Sequence, residues 1–122
     1  MIDISRPLIP KPDRPVDPLT LMVIGEIQQA ADRLGVPVFV VGAVARIILL
    51  ENIHGLNAGR TTTDVDFAFA LDNWEQFHTI KALLLENPRF NASEQLAHRL
   101  YFRAPGLEHS YKVDLIPFGG IE

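Results

Sequence analysis

Residues 36 to 42 read VPVFVVG, and the next eleven, AVARIILLENI, are apolar on nearly every side. The first stretch is a continuous β-branched and aromatic run of strand length, the pattern of a strand covered on both faces. The second is a mostly buried helix. A single glycine, Gly42, separates them, so the strand must turn directly into the helix. This junction sets the class of fold: a buried strand that feeds a buried helix belongs to an α/β arrangement.

The neighbouring segments extend the pattern. Asp17 and Pro18 form an N-cap and first-turn pair for a helix over about 18 to 34, with Leu21, Ile24, Ile27, Ala31 and Leu34 at helical spacing and Gly35 as its stop. HGLNAGR (54 to 60) is loop, and TTDVDFAFAL follows as a strand. Asp72 or Asn73 caps a further helix that carries Trp74, Phe77, Ile80, Leu83 and Leu84 to about residue 86, with Trp74 and Phe77 expected in the core. The last third reads as antiparallel β, with strands near 89 to 93, 96 to 103 and 110 to 117 and a turn at APGLEHS. Strand-to-helix turns early in the chain and a hairpin late predict an α/β (α+β) domain with a mixed sheet flanked by helices.

With 122 residues, 48% of them hydrophobic, the chain is the size of one domain and can bury a real core. Residues 1 to 17 are proline-punctuated and aperiodic, which predicts an extended or disordered arm before a domain spanning 18 to 122. The net charge of −4 gives no global field for nucleic acid or an anionic membrane. The absence of cysteine excludes disulfides and thiolate zinc sites and suits a reducing cytoplasm. No apolar run approaches the ~20 residues of a membrane helix. The expectation is a soluble cytoplasmic protein. Neither a P-loop motif nor a dinucleotide-binding fingerprint occurs.

One strand carries an unusual charge pattern. In GRTTTDVDF (59 to 67), Asp64 and Asp66 project from the same face of a strand, ~7 Å apart at Cα by strand rise. Left unpaired beside a core, two such carboxylates would cost several kcal/mol or shift their pKa values, so water or a cation must reach them. A divalent metal is one such partner, since Mg²⁺ is held by a few carboxylates with water and substrate phosphates completing its shell. Asp114, within YKVDLIPF, is the acid that a neighbouring strand could add. The alternative is structural, with Asp64 capping a turn, Asp66 paired with an arginine and Asp114 at an exposed edge. Gly42 adds a second signal: a glycine ending a buried strand before a helix exposes backbone N–H groups suited to phosphate, or simply makes a tight turn.

Together VVGAVARIILL, GRTTTDVDFAF and KVDLIPFGG resemble the polymerase-beta-like nucleotidyltransferase superfamily. Its pattern is an apolar strand ending Gly-Gly or Gly-Ser, a helix, Asp-x-Asp on the next strand and a third Asp on a later one. The spacing of Arg60, Thr61, Thr63, Asp64 and Asp66 is similar to the abortive-infection toxin branch. The resemblance covers about residues 20 to 120. It implies the nucleotidyltransferase fold, with Asp64, Asp66 and Asp114 as catalytic residues and ligands of two Mg²⁺ ions, which Mn²⁺ could replace. Asp114 would also help to activate the attacking hydroxyl. Gly42 and the backbone at Ala43 would cradle phosphates, Ala43 lacking the serine hydroxyl that some members supply.

The implied partners are an NTP and a hydroxyl acceptor, with tRNA placed before a protein or small molecule. The superfamily usually completes its site with a following helical domain, so a C-terminal truncation is expected. Arg46, in the first turn of the second helix, opposes the helix dipole and calls for an anion, either a phosphate or an aspartate. Arg60 could clamp a triphosphate bidentately or lie solvated in its loop, and Thr61 and Thr63 could bond phosphate or loop backbone. The four histidines share no metal-ligand spacing. Two rivals stand beside the enzyme: a catalytically silent NTP- or metal-binding module, and a partner-binding protein of the toxin and antitoxin kind.

Overall fold

A computed structural model of the chain describes residues 2–4, 10, 17–55, 64–104 and 110–119. In chain order the elements are β1 (Ile2–Asp3), α1 (Pro18–Leu34), β2 (Val38–Val41), α2 (Gly42–Ile47), β3 (Asp64–Leu71), α3 (Trp74–Leu85), β4 (Phe90–Ala92), β5 (Arg99–Phe102) and β6 (Tyr111–Gly119). A π-helical stretch, Ile48–Ile53, prolongs α2. The caps follow the local chemistry of the sequence. Asp17 accepts from the Thr20 backbone N–H at 3.1 Å, Asn73 accepts from the Gln76 N–H at 2.9 Å, and Gly35 ends α1 in the left-handed region at φ 65°.

The six strands form one mixed sheet in the order β1-β2-β3-β6-β5-β4. β3 and β6 run parallel at its centre, and every other neighbouring pair is antiparallel. Alternation along the strands separates two faces. Val38 and Val40, Val65, Phe67, Phe69 and Leu71, Leu100 and Phe102, and Tyr111, Val113 and Leu115 join Val23, Ile27, Ala31, Val44, Ala45, Ile48, Phe77, Ile80 and Leu84 of the helices in one core. Burying a side chain such as Phe67 stabilises the fold by roughly 1.5–3 kcal/mol, so the face a strand presents is strongly specified.

The opposite face carries Asp64, Asp66, Ala68 and Ala70 on β3 and Lys112, Asp114, Ile116 and Phe118 on β6. Its two ends differ. Carboxylates occupy the end near the start of β3, whereas Phe39 and Phe118 meet with ring centroids 6.1 Å apart toward the other.

Some expectations are corrected. Trp74 is 47% exposed, packing edge-on against buried Phe77, because it is the first residue of α3 and lies beyond the core stripe. Leu21 and Leu34 are also exposed, and the buried stripe of α1 runs instead through Val23, Ile24, Ile27, Ala30 and Ala31. Within the expected N-terminal arm, Ile2 and Asp3 pair with Val40 and Phe39 as an edge strand, and Ile2 and Ile4 are buried. The turn over 104–110 lies mostly outside the described residues.

Candidate active site

Asp64 and Asp66 share the open face of β3, as their spacing requires, and the parallel register of β3 and β6 sets Asp66 directly beside Asp114. Neighbouring strands are ~4.8 Å apart, so the two carboxyls adjoin. Protonated Asp66 is placed to donate a hydrogen bond to Asp114. Asp64, one step outward on the face, is exposed. Lys112 stands opposite Asp64 in the same ladder.

The next strand brings a residue that the sequence reading missed. Arg99 of β5 is registered against Asp114, donating from Nε to Oδ1 at 2.8 Å and from Nη2 to Oδ2 at 3.1 Å. This is the forked arginine–carboxylate geometry. Its signal in the sequence is the alternation in RLYF: with Leu100 and Phe102 inward, Arg99 must face outward.

Charge on this face is unevenly compensated. The Asp114 carboxyl is held below its ordinary value, chiefly by the hydrogen bonds from Arg99 and against the opposing effect of burial. Asp66 is raised, first by burial and then by the charges of Asp114 and Asp64. The repulsion on this face is therefore felt at Asp66, and a cation placed beside it would relieve it.

Gly42 lies against the same carboxylate. Its φ is +71°, and a Cβ built at this position would come within 2.5 Å of Asp66 Oδ2. Only glycine lets the start of α2 approach the acid this closely. Whereas Asp17 and Asn73 cap α1 and α3, no side chain among the described residues caps α2. Ala43 follows in its first turn, and Arg46 is exposed on the same helix. Among the described residues, the arginine seen to pair with a site aspartate is Arg99. Arg60, Thr61 and Thr63 lie outside the described residues.

Among the described residues, no three His, Cys, Asp or Glu side chains are grouped so as to hold a metal ion by themselves. The donors present suit a different arrangement: one or two carboxylates, with water and substrate phosphates completing the shell, is the usual provision for Mg²⁺. Asp64 and Asp66 are donors of that kind, on one face of β3.

Two solved structures share this architecture. A Thermotoga maritima CCA-adding enzyme complexed with tRNA superposes with a TM-score of 0.53 and 21% identity, over 94% of this chain and 24% of that one. A CCA-adding enzyme in complex with CTP gives a TM-score of 0.52 and 21% identity, over 94% of this chain and 23% of that one. The fold is the nucleotidyltransferase fold. The chain spans about a quarter of the length of these enzymes. No protein-family profile and no curated protein matches it. Among the described residues of the nucleotidyltransferase fold seen here, no helix is long and apolar enough to cross a membrane.

Proposed function

We propose that the chain is a nucleotidyltransferase domain that moves a nucleoside monophosphate from an NTP to a hydroxyl acceptor and releases pyrophosphate. The observation that carries this reading is the row formed by Gly42, Asp66 and Asp114 on adjacent parts of one sheet face, with Asp64 beside it. Asp64 and Asp66 would hold Mg²⁺, with Asp114 completing a second site when two ions are bound. The metal, once bound, supplies positive charge to the transferring phosphate and aligns attacking and leaving oxygens. The backbone N–H groups at Gly42 and Ala43 face the phosphates, assisted by Arg46, Arg60 and Thr63.

In the transfer, the acceptor oxygen bonds to the α-phosphorus and the bond to the bridging oxygen breaks, leaving pyrophosphate. Asp114 accepts the hydrogen bond of the attacking hydroxyl and orients it. Held low by Arg99, it is a weak base, so the proton passes on to water. We place tRNA first among acceptors, supported by the architecture shared with a CCA-adding enzyme bound to tRNA and by the toxin-branch spacing of Arg60, Thr61, Thr63, Asp64 and Asp66. Use of NTPs and the absence of cysteine fit a cytoplasmic protein. A further domain or an antitoxin would be a separate partner.

The test is thermal unfolding with each NTP, with and without Mg²⁺, beside an Asp64→Ala, Asp66→Ala double variant. A ligand that binds only the native state stabilises it by about 2.7 kcal/mol at ~100 times its Kd. A shift that needs both nucleotide and metal and disappears in the variant is the expected result. Labelled NTP is then offered with tRNA and pyrophosphate release is followed. Binding without turnover toward any acceptor would favour a silent nucleotide-binding module, a reading favoured by the engagement of both Asp114 oxygens with Arg99.

A further inference from the structure

Resting on the nucleotidyltransferase reading, we propose that Arg99 is an internal counter-ion that competes with a second divalent cation for Asp114, so that the protein alone holds one such ion, at Asp64 and Asp66. Arg99 and Asp114 are direct cross-strand partners, so the backbone register itself brings their side chains together. Both carboxylate oxygens are engaged, at 2.8 and 3.1 Å, by a guanidinium that stays charged at any working pH. The charge of Asp114 is therefore compensated before any ion arrives. Among the described residues, no such fork reaches Asp66, which stands next to it in the β3–β6 register.

A divalent ion approaching Asp114 must either face the guanidinium or displace it. This makes the sign of the effect diagnostic. Groups that merely orient a metal ligand strengthen the site, and their loss typically weakens metal binding about 10–100-fold. Arg99 carries the same sign of charge as the ion, so its loss should tighten binding. A triphosphate offers the guanidinium another bidentate partner, and a ligand that draws it away frees Asp114. By linkage, nucleotide and second ion then favour each other. Arg99 would thus act as a positioning residue, operating through Asp114.

The experiment is titration of the chain with Mn²⁺ alone, followed by calorimetry and by electron paramagnetic resonance of the free ion. The proteins are wild type, Arg99→Gln, Arg99→Lys, Asp66→Asn and the Arg99→Gln, Asp114→Asn double variant. Wild type is expected to bind one ion, with binding lost in Asp66→Asn. Arg99→Gln should gain a second ion or bind roughly tenfold more tightly, the size of effect that partners of metal ligands usually have. The double variant should return to one ion. Circular dichroism and thermal melts check that each variant folds. If the glutamine variant does not, Arg99→Lys keeps the charge but loses the fork and should show a smaller gain.

Equal or weaker binding in both Arg99 variants, with wild-type binding still dependent on Asp66, overturns the proposal and leaves the nucleotidyltransferase reading intact. Absence of Mn²⁺ binding in wild type and variants alike, or binding that survives Asp66→Asn, overturns both.

Discussion

At the scale of single residues, the two adjoining carboxyls have opposite effects on stability as pH changes. Asp66 is raised above its ordinary 3.8 by burial and by Asp114 and Asp64, so the native state holds its proton more tightly than the unfolded chain does. Its contribution favours folding below pH 3.8 and turns progressively against it as pH rises through the raised native value. Asp114 is lowered by Arg99, so its contribution is complete above 3.8 and is lost as pH falls through the lowered native value. Asp66→Asn is therefore expected to raise the melting temperature at pH 7 by roughly 2 °C, a small gain because solvent screens this half-exposed group. That gain should fade toward pH 4, as it reflects relief of charge. Asp114→Asn should lower the melting temperature at pH 7, by about 1 kcal/mol of stability, since it leaves Arg99 without its carboxylate. Melts from pH 3 to 8 check both signs, and a destabilised Asp66→Asn at pH 7 would show that no surplus charge resides there.

At the scale of elements, the junction between β2 and α2 carries the most local information and the sharpest expectation. Gly42→Ala forces a Cβ onto a backbone at φ +71° and within 2.5 Å of Asp66 Oδ2. A non-glycine residue held in such a conformation costs of order 1–3 kcal/mol, and Asp66 must also move. We expect the variant to melt several degrees lower and to lose any metal-dependent nucleotide shift, whereas Gly25→Ala, where nothing lies within 4 Å of the added Cβ, serves as a control. Asn73→Ala removes the acceptor for the Gln76 N–H at 2.9 Å and should cost ~1 kcal/mol of stability in a denaturant titration, with no effect on nucleotide binding. These devices were legible because each is written within a few consecutive residues: a capping acid before Pro18, a capping amide before Trp74, a glycine between an apolar strand and an apolar helix. Arg99 was less legible because its role depends on register. Centring the last hairpin on APGLEHS would set residue 99 opposite Leu115, one place from the observed Asp114 partner, and a slip of one residue exchanges the faces of a strand.

At the scale of the whole molecule, what the sequence could not specify is the lateral order of strands. The parallel pairing of β3 with β6 joins segments more than forty residues apart, and only that pairing turns Asp66 and Asp114 into neighbours. Periodicity showed that both acids lay on strands with apolar flanks, and the superfamily pattern linked them; neither signal alone gives the register. β1 escaped notice for a related reason. Two residues are too few to show alternation, and the prolines that follow are a strong signal for irregular chain, yet Ile2 and Ile4 are buried and Ile2 pairs with Val40. The resulting order puts the site strands at the centre and β1 and β4 at the edges. Local opening begins where few buried contacts hold a segment, so native-state hydrogen exchange should grade across the sheet. The amides of Val65 and Phe67 in β3 and of Val113 and Leu115 in β6 should exchange only through global unfolding, and those of β1 and β4 through smaller openings. On that pattern the carboxylates ride on the most persistent part of the fold, which holds their spacing fixed while a ligand arrives. Exchange in β3 and β6 as fast as at the edges would mean that the central pairing opens locally, and Asp66 and Asp114 would then have to be assembled by the ligand instead of being presented to it.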